Sequence, residues 1–158
     1  MRRNDLFSDR ELARASREGG PLSLMIVDFD RFKHINDNYG HLAGDAVLSE
    51  AARRMRAAVR SYDSIGRYGG EEFLIVLAGC HGESAVEQAE RIRHAIGGEP
   101  FPAGDGGIHV TCSIGVSSWH HFDPVDAATL MREADQALYL AKKDGRNRVA
   151  VGSTGVAA

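Results

Sequence analysis

Residues 22–27 read LSLMIV, a nearly unbroken apolar run that stops at Asp28. Successive side chains of a strand point to opposite faces, so a run that is apolar throughout fits a strand buried on both. A sheet built around such a strand needs cover on each side, and helices packed on its faces supply it most simply.

The rest of the chain provides those helices. Residues 4–18 read as a polar helix closed by EGGP, and Asp30 is a candidate N-cap for a short helix with Phe32, Ile35 and Tyr39 at helical spacing, stopped by Gly40. Val47, Leu48, Ala51, Ala52, Met55 and Val59 form the stripe of a longer helix. SIGRY, Gly69-Gly70 and FLIVLA read as a hairpin turning at the glycine pair. Val86, Ala89, Ile92 and Ile96 mark another helix, followed by the loop GGEPFPAGDGG. Val110, Cys112, Ile114 and Val116 alternate with polar residues, which predicts a strand with one wet face. Leu130, Met131, Ala134, Ala137, Leu138 and Ala141 predict a final helix, and GRNRVAV a closing strand. The order β-α-α-β-β-α-β-α-β predicts an α+β fold, a mixed central sheet flanked by helices of the ferredoxin-like or polymerase-palm-like kind. The expected division is an N-terminal helix over 1–19, one folded domain over 20–151 and a flexible tail over 152–158.

Charge narrows the partners. With 19 basic and 22 acidic residues the net charge is −3, so no basic field recommends nucleic acid or an anionic membrane. A phosphate-rich ligand would need a few placed cations or a metal. Cys80 and Cys112 lie far apart without ligand spacing, which suits a reducing compartment and argues against a disulfide framework or a zinc site. The seven histidines are scattered, and His120-His121 reads as a solvated loop pair. With no signal peptide and no apolar stretch long enough to span a bilayer, the expected location is cytoplasmic, leaving open a membrane tether elsewhere in a longer parent.

The residues 67–77, RYGGEEFLIVL, place two glycines and two glutamates at the mouth of a core strand. Asp28 ends the first strand, and Glu71 and Glu72 stand where the hairpin enters the next. If those strands are neighbours, the carboxylates converge and require a cation to stay ionised cheaply. Hard oxygen ligands of this type favour Mg²⁺ or Mn²⁺ carrying substrate phosphates. Spacing alone leaves a second reading open, in which Asp28 caps a helix and the glutamates are a solvated turn. The glycines could serve close approach of a phosphate, or only a turn with positive φ.

Three stretches together carry a resemblance. RYGGEEF resembles the signature of the GGDEF family of diguanylate cyclases in its Glu-for-Asp form. Residues 28–45, DFDRFKHINDNYGHLAGD, resemble the family's D-x-D-x-F-K-x-x-N-D-x-x-G-H-x-x-G-D segment. Residues 134–147, ADQALYLAKKDGRN, are similar to its A-D-x-A-L-Y-x-A-K-x-x-G-R-N segment. The family's entry motif, resembling D-x-L-T-G-L-x-N-R, is met only in its last residues. That predicts an excised piece of a longer protein with a regulatory domain upstream.

The resemblance implies a metal-dependent, product-inhibited nucleotidyltransferase that condenses two GTP into cyclic di-GMP and releases two pyrophosphates. It assigns Asp28, Glu71 and the backbone carbonyl of Phe29 to two Mg²⁺ or Mn²⁺ ions, and makes Glu72 a candidate proton acceptor for the 3′-hydroxyl. Gly69 and Gly70 would admit the phosphates, Asn36 and Asp45 would read guanine with His41 nearby, and Lys142 and Arg146 would clamp the terminal phosphates with Phe32 and Lys33. Independently, the helix opening at residues 31–33 offers free N–H groups to phosphate. Arg60 and Asp63 form an R-x-x-D ahead of the signature, the position of the family's inhibitory product site, with Arg91 as third member and Arg93 as the alternative. Because one site holds one GTP, catalysis would need a homodimer. Two further readings follow from the same residues: a silent domain that only binds cyclic di-GMP, and a cyclase with relaxed base choice.

Overall fold

A computed structural model describes residues 20–103, 106–120 and 127–152, together with 9–11, 13, 14 and 17. The apolar run does form the middle of a sheet. Strand β1 (Leu22–Phe29) is buried at all eight positions and lies between β3 (Glu72–Ala78) and β4 (Cys112–Trp119), antiparallel to both. β2 (Ser64–Arg67) flanks β3, and β5 (Val149–Val151) runs parallel to β4, giving the order β2-β3-β1-β4-β5.

The two faces of β1 serve separate cores, as the alternation of a strand requires. Met25, Val27 and Phe29 pack with residues of α1 (Phe32–Tyr39), α2 (His41–Ala58) and α3 (Glu83–Gly97). Leu22, Leu24 and Ile26 pack with Leu130, Met131, Ala134 and Leu138 of α4 (Ala127–Lys143). The element order along the described chain is the one the periodicities predict, and the sheet is mixed and helix-flanked. Of the predicted N-terminal helix, residues 9–11, 13, 14 and 17 are helical, and the remainder lies outside the described residues. Residues 153–158 of the predicted tail also lie outside them. Gly152 is buried and its N–H donates to the Val116 carbonyl at 2.7 Å. His121 is likewise outside, while His120 meets the His81 ring edge-on at 4.3 Å.

The expected wet face of β4 is a correction: all eight residues are buried. Its polar positions are serines and a glycine, small enough for α4 to settle directly on the strand. Ser117 Oγ donates to the Leu130 carbonyl at 2.8 Å. A Cβ on Gly115 would lie 2.1 Å from the Ala134 carbonyl oxygen and 2.4 Å from the Leu138 nitrogen. Because both obstacles are backbone, Gly115→Ala should lower stability by about 2–3 kcal/mol. A denaturant midpoint unchanged from the parent would refute this seating of the helix.

Candidate active site

Strand register creates the acidic end of the sheet. Asp28 and Glu72 are directly paired across β1 and β3, on the face that α4 covers. Asp28 is buried, and Lys142, in the last turn of α4, reaches across to form an ion pair and hydrogen bond with its Oδ2. Glu72 is half-buried and hydrogen-bonded to Asp28. Its carboxyl is held above the ordinary range, first by burial and then by the negative charge of Asp28, with Lys142 opposing. Asp135 of α4 adds to the same negative field and is itself raised by burial.

Glu71 stands one step further on. Its carbonyl accepts from the Phe29 N–H at 3.4 Å, while the residue lines a groove on the opposite side of the sheet edge. The acids therefore straddle the end of β1, Asp28 and Glu72 beneath α4 and Glu71 at the groove mouth. No three His, Cys, Asp or Glu side chains among the described residues form a cluster able to hold a metal alone. The donor set that remains, Asp28 with Glu71 or Glu72 and backbone carbonyl, fits an ion that takes one or two carboxylates and completes its shell with phosphates and water. That Asp28 already draws a cationic side chain supports the fit.

The turn at Tyr68–Glu71 is longer than a bare Gly-Gly turn: Tyr68 and Gly69 N–H groups both point to the Glu72 carbonyl, at 2.8 and 3.2 Å. Neither Gly69 nor Gly70 has a left-handed φ. The turn therefore does not need glycine for its backbone angles, and a Cβ at Gly70 would meet nothing within 4 Å. What the glycines leave is open space beside the acids. Arg67 braces this turn, donating from Nη2 to the Gly70 carbonyl at 2.6 Å and from Nε to that of Gly69 at 3.3 Å.

The groove, of about 350 Å³, is lined by Phe32, Lys33 and Asn36 of α1, His41, Asp45 and Leu48 of α2, and Arg67, Gly70 and Glu71. The residues expected to read a base thus converge from two helices. Gly44 permits the convergence, since a Cβ there would lie 1.9 Å from Asn36 Oδ1. Gly40, at φ 90°, ends α1 and turns the chain into α2.

Arg146 is placed apart from this groove, in the turn between α4 and β5, and lines a separate cavity on the other flank of α1. Asp30 is a correction. The residue before α1 is Arg31, in a left-handed conformation, and no side chain caps the helix. The Asp30 carboxylate instead accepts from Thr111 Oγ1 and Ser113 Oγ, each at 2.7 Å, and from the Asn147 N–H at 3.0 Å. It ties the end of β1 to β4 and to the turn that carries Arg146.

At the far side of the domain, Arg60 forks onto the buried carboxylate of Asp63, Nε to Oδ2 at 3.1 Å and Nη2 to Oδ1 at 3.2 Å. Its guanidinium also covers the Tyr62 ring at 4.6 Å. Arg91 touches Gln88, whose Nε2 donates to the Ala58 carbonyl, linking α3 to the segment that leads to Arg60. Arg93 turns away and donates to Asn147 Oδ1 at 2.9 Å. Arg14 Nη2 donates to the Tyr62 carbonyl, setting another guanidinium beside this loop. Arg14, Arg67 and Asp30 are the participants the sequence reading missed or misplaced. Only Arg67 left a usable signal, its place directly before the glycine turn.

Comparison with known proteins identifies relatives of this chain and of its fold. A family profile described as "Diguanylate cyclase, GGDEF domain" matches residues 3–148. A curated relative from Treponema denticola, Diguanylate cyclase A, is 45% identical over 128 residues, which cover 81% of this chain and 34% of that protein. The chain spans 34%, 21% and 46% of the lengths of the first three curated relatives, so it corresponds to part of each. The solved "active GGEEF domain of a diguanylate cyclase from Vibrio cholerae" superposes with a TM-score of 0.84 at 42% identity, covering 93% of this chain and 92% of that one. The GGDEF domain of DgcB from Caulobacter crescentus, solved in complex with c-di-GMP, superposes with a TM-score of 0.84 at 29% identity, covering 94% of this chain and 85% of that one.

Proposed function

This chain belongs to the GGDEF family of diguanylate cyclases, and from that premise we propose that it condenses two GTP into cyclic di-GMP with release of two pyrophosphates. The observation that carries the proposal is the pairing of Asp28 with Glu72 under Lys142, beside a groove lined by Asn36 and Asp45.

Guanine lies in the groove, where the Asp45 carboxylate accepts from N1–H and N2–H₂ and Asn36 meets the base edge. The triphosphate runs from the groove past Gly70 to the first turn of α1, whose free N–H groups receive it. Asp28, Glu71 and the Phe29 carbonyl would hold divalent ions, Mg²⁺ or Mn²⁺, whose chemistry there would be neutralisation of charge on the phosphate oxygens. Glu72 accepts the proton of the attacking 3′-hydroxyl; its raised pKa brings it nearer the range useful to a general base. The new O–P bond forms at the α-phosphorus as the bond to pyrophosphate breaks. Each chain holds one GTP, so two copies face one another and each supplies the other's nucleophile. Incubation with GTP and Mg²⁺ followed by chromatography should yield cyclic di-GMP at a rate per mole that falls on dilution. A chain that binds GTP but never forms the product would refute the enzyme reading.

Arg60, Asp63 and Arg91 form a product site. Its support is the fork of Arg60 on buried Asp63, which fixes a guanidinium at the domain surface, where its planar shape suits guanine N7/O6. Arg60→Ala should weaken inhibition by cyclic di-GMP roughly tenfold or more, a contact of about 1–3 kcal/mol. Asp63 keeps its bond from the Arg60 backbone N–H at 2.9 Å, so the fold should survive. Unchanged inhibition in a folded variant would place the brake elsewhere.

A further inference from the structure

We propose that His81 and His120 form a site for a divalent transition-metal ion of the imidazole-preferring kind, at the end of the sheet opposite the acids. The two rings meet edge to face, their centroids 4.3 Å apart and their planes at 71°. The site is independent of the cyclase reading and uses none of the residues assigned to it.

Topology brings the pair together from distant parts of the chain. Ala78 at the end of β3 and Trp119 at the end of β4 are both register partners of Leu22, the first residue of β1. Two inter-strand spacings, roughly 10 Å, therefore separate those strand ends. His120 follows Trp119 directly, and the chain turns at Gly79 (φ 69°) and Gly82 (φ 58°) on either side of Cys80 and His81. The two rings close the gap that β1 leaves between its neighbours.

Buried hydrogen bonds fix both backbones. The Gly79 N–H donates to the Pro21 carbonyl at 2.7 Å. Ser23 Oγ donates to the Cys80 carbonyl at 2.7 Å and lies 2.9 Å from Ser118 Oγ, so one buried hydroxyl ties the His81 loop to β1 and β4. Ser84 Oγ donates to the His81 carbonyl at 2.7 Å. Rings carried on a frame already ordered lose little freedom on binding an ion.

The nitrogens themselves are uncommitted. No hydrogen bond or ion pair among the described residues engages either ring, whereas His94 meets both Glu90 and Arg93. His81 is exposed and His120 half-buried, so an ion has access. Two nitrogens each about 2.1 Å from one ion lie about 3 Å from each other. Rings with centroids 4.3 Å apart reach that separation by turning about their Cβ–Cγ bonds. Cys80 is no ligand, since it is buried and its Sγ donates to Ser84 Oγ at 3.4 Å. Among the described residues no third His, Cys, Asp or Glu completes a cluster, so water fills the remaining positions. Imidazole suits Cu²⁺, Ni²⁺ and Zn²⁺, with Cu²⁺ bound most tightly, while Mg²⁺ keeps to oxygen and does not compete.

Position decides what such an ion could influence. Seven steps along β1 at about 3.3 Å set Leu22 roughly 23 Å from Phe29, so the ion cannot touch a ligand at the acids. It would instead bridge the loop after β3 to the end of β4, across the point where the chain enters β1.

The test is Cu²⁺ added to the full chain, followed by calorimetry and electron paramagnetic resonance. His81→Phe and His120→Phe keep an aromatic ring in the contact and remove its nitrogens, so the fold should persist. The parent should bind one Cu²⁺ with the signature of two imidazole nitrogens and gain thermal stability from it. Each variant should lose affinity about tenfold or more, lose that gain, and form cyclic di-GMP in the absence of copper as the parent does. Copper affinity unchanged in either variant would overturn the proposal. So would affinity that falls with Asp28→Asn instead, since the ion would then sit among the acids. A chain that never makes cyclic di-GMP but binds copper through both histidines keeps this site and loses only the cyclase reading.

Discussion

Asp28→Asn should lower cyclic di-GMP formation by roughly a thousandfold, about 4 kcal/mol in the barrier, while leaving the domain folded. The amide keeps the shape of the side chain at a position buried in the sheet. It forfeits the charge that Lys142 now neutralises and that, in the proposed reading, would draw a divalent ion. A second readout separates this from general damage. Glu72 is raised first by burial and then by Asp28. Removing the second cause should lower the Glu72 pKa without returning it fully to normal. An acid with a raised folded pKa contributes stability that is complete below its unfolded value and lost as pH rises through the folded one. The nucleotide-free parent should therefore lose stability as pH climbs from the ordinary glutamate value of 4.5, and Asp28→Asn should flatten part of that slope. The burial of Glu72 itself, with Glu133 and Asp135, which burial also raises, keeps the remainder. Melting curves across pH check this. A fully active variant would end the proposal that position 28 holds the ions.

The second large effect concerns base choice. Asp45→Ser should raise the GTP requirement roughly 10- to 100-fold, matching about 1.5–3 kcal/mol for hydrogen bonds to a charged acceptor. It should also let adenine-containing dinucleotides appear in a GTP/ATP mixture. A carboxylate can accept from both N1–H and N2–H₂ of guanine, whereas adenine lacks that donor pair and leaves the acid unpaired. Asp45 lines the groove together with Asn36 and His41. If the variant still made cyclic di-GMP alone, selectivity would have to reside elsewhere in the groove.

Much of this architecture was legible in the residues because burial writes itself into periodicity. LSLMIV announced a strand covered on both faces, and the helical stripes named the helices that cover it. The acids were legible as a group, since carboxylates at strand ends cost stability without giving packing. Their pairing was not, because register depends on both strands at once: only the alignment of β1 with β3 sets Glu72 opposite Asp28 and sends Glu71 to the groove. Ser113, Gly115 and Ser117 misled for a related reason. A small polar residue reads the same whether it faces water or a helix backbone lying close above it. Asp30 misled because an acid before a helix is a common cap, and nothing local reveals that Thr111, Ser113 and Asn147 claim it from 81 to 117 residues away.

The intimate seating of α4 on β4 also acts as a gauge for the chemistry at its far end. With no side chain at Gly115 to act as a spacer, the height of the helix is set by contact of main chain on main chain, and Lys142 inherits that height some eight residues beyond Ala134. A methyl inserted at residue 115 would work as a shim under a lever, lifting the ammonium off Asp28 even in molecules that still fold. Damage in the hydrophobic interior would then surface first as faulty handling of phosphate.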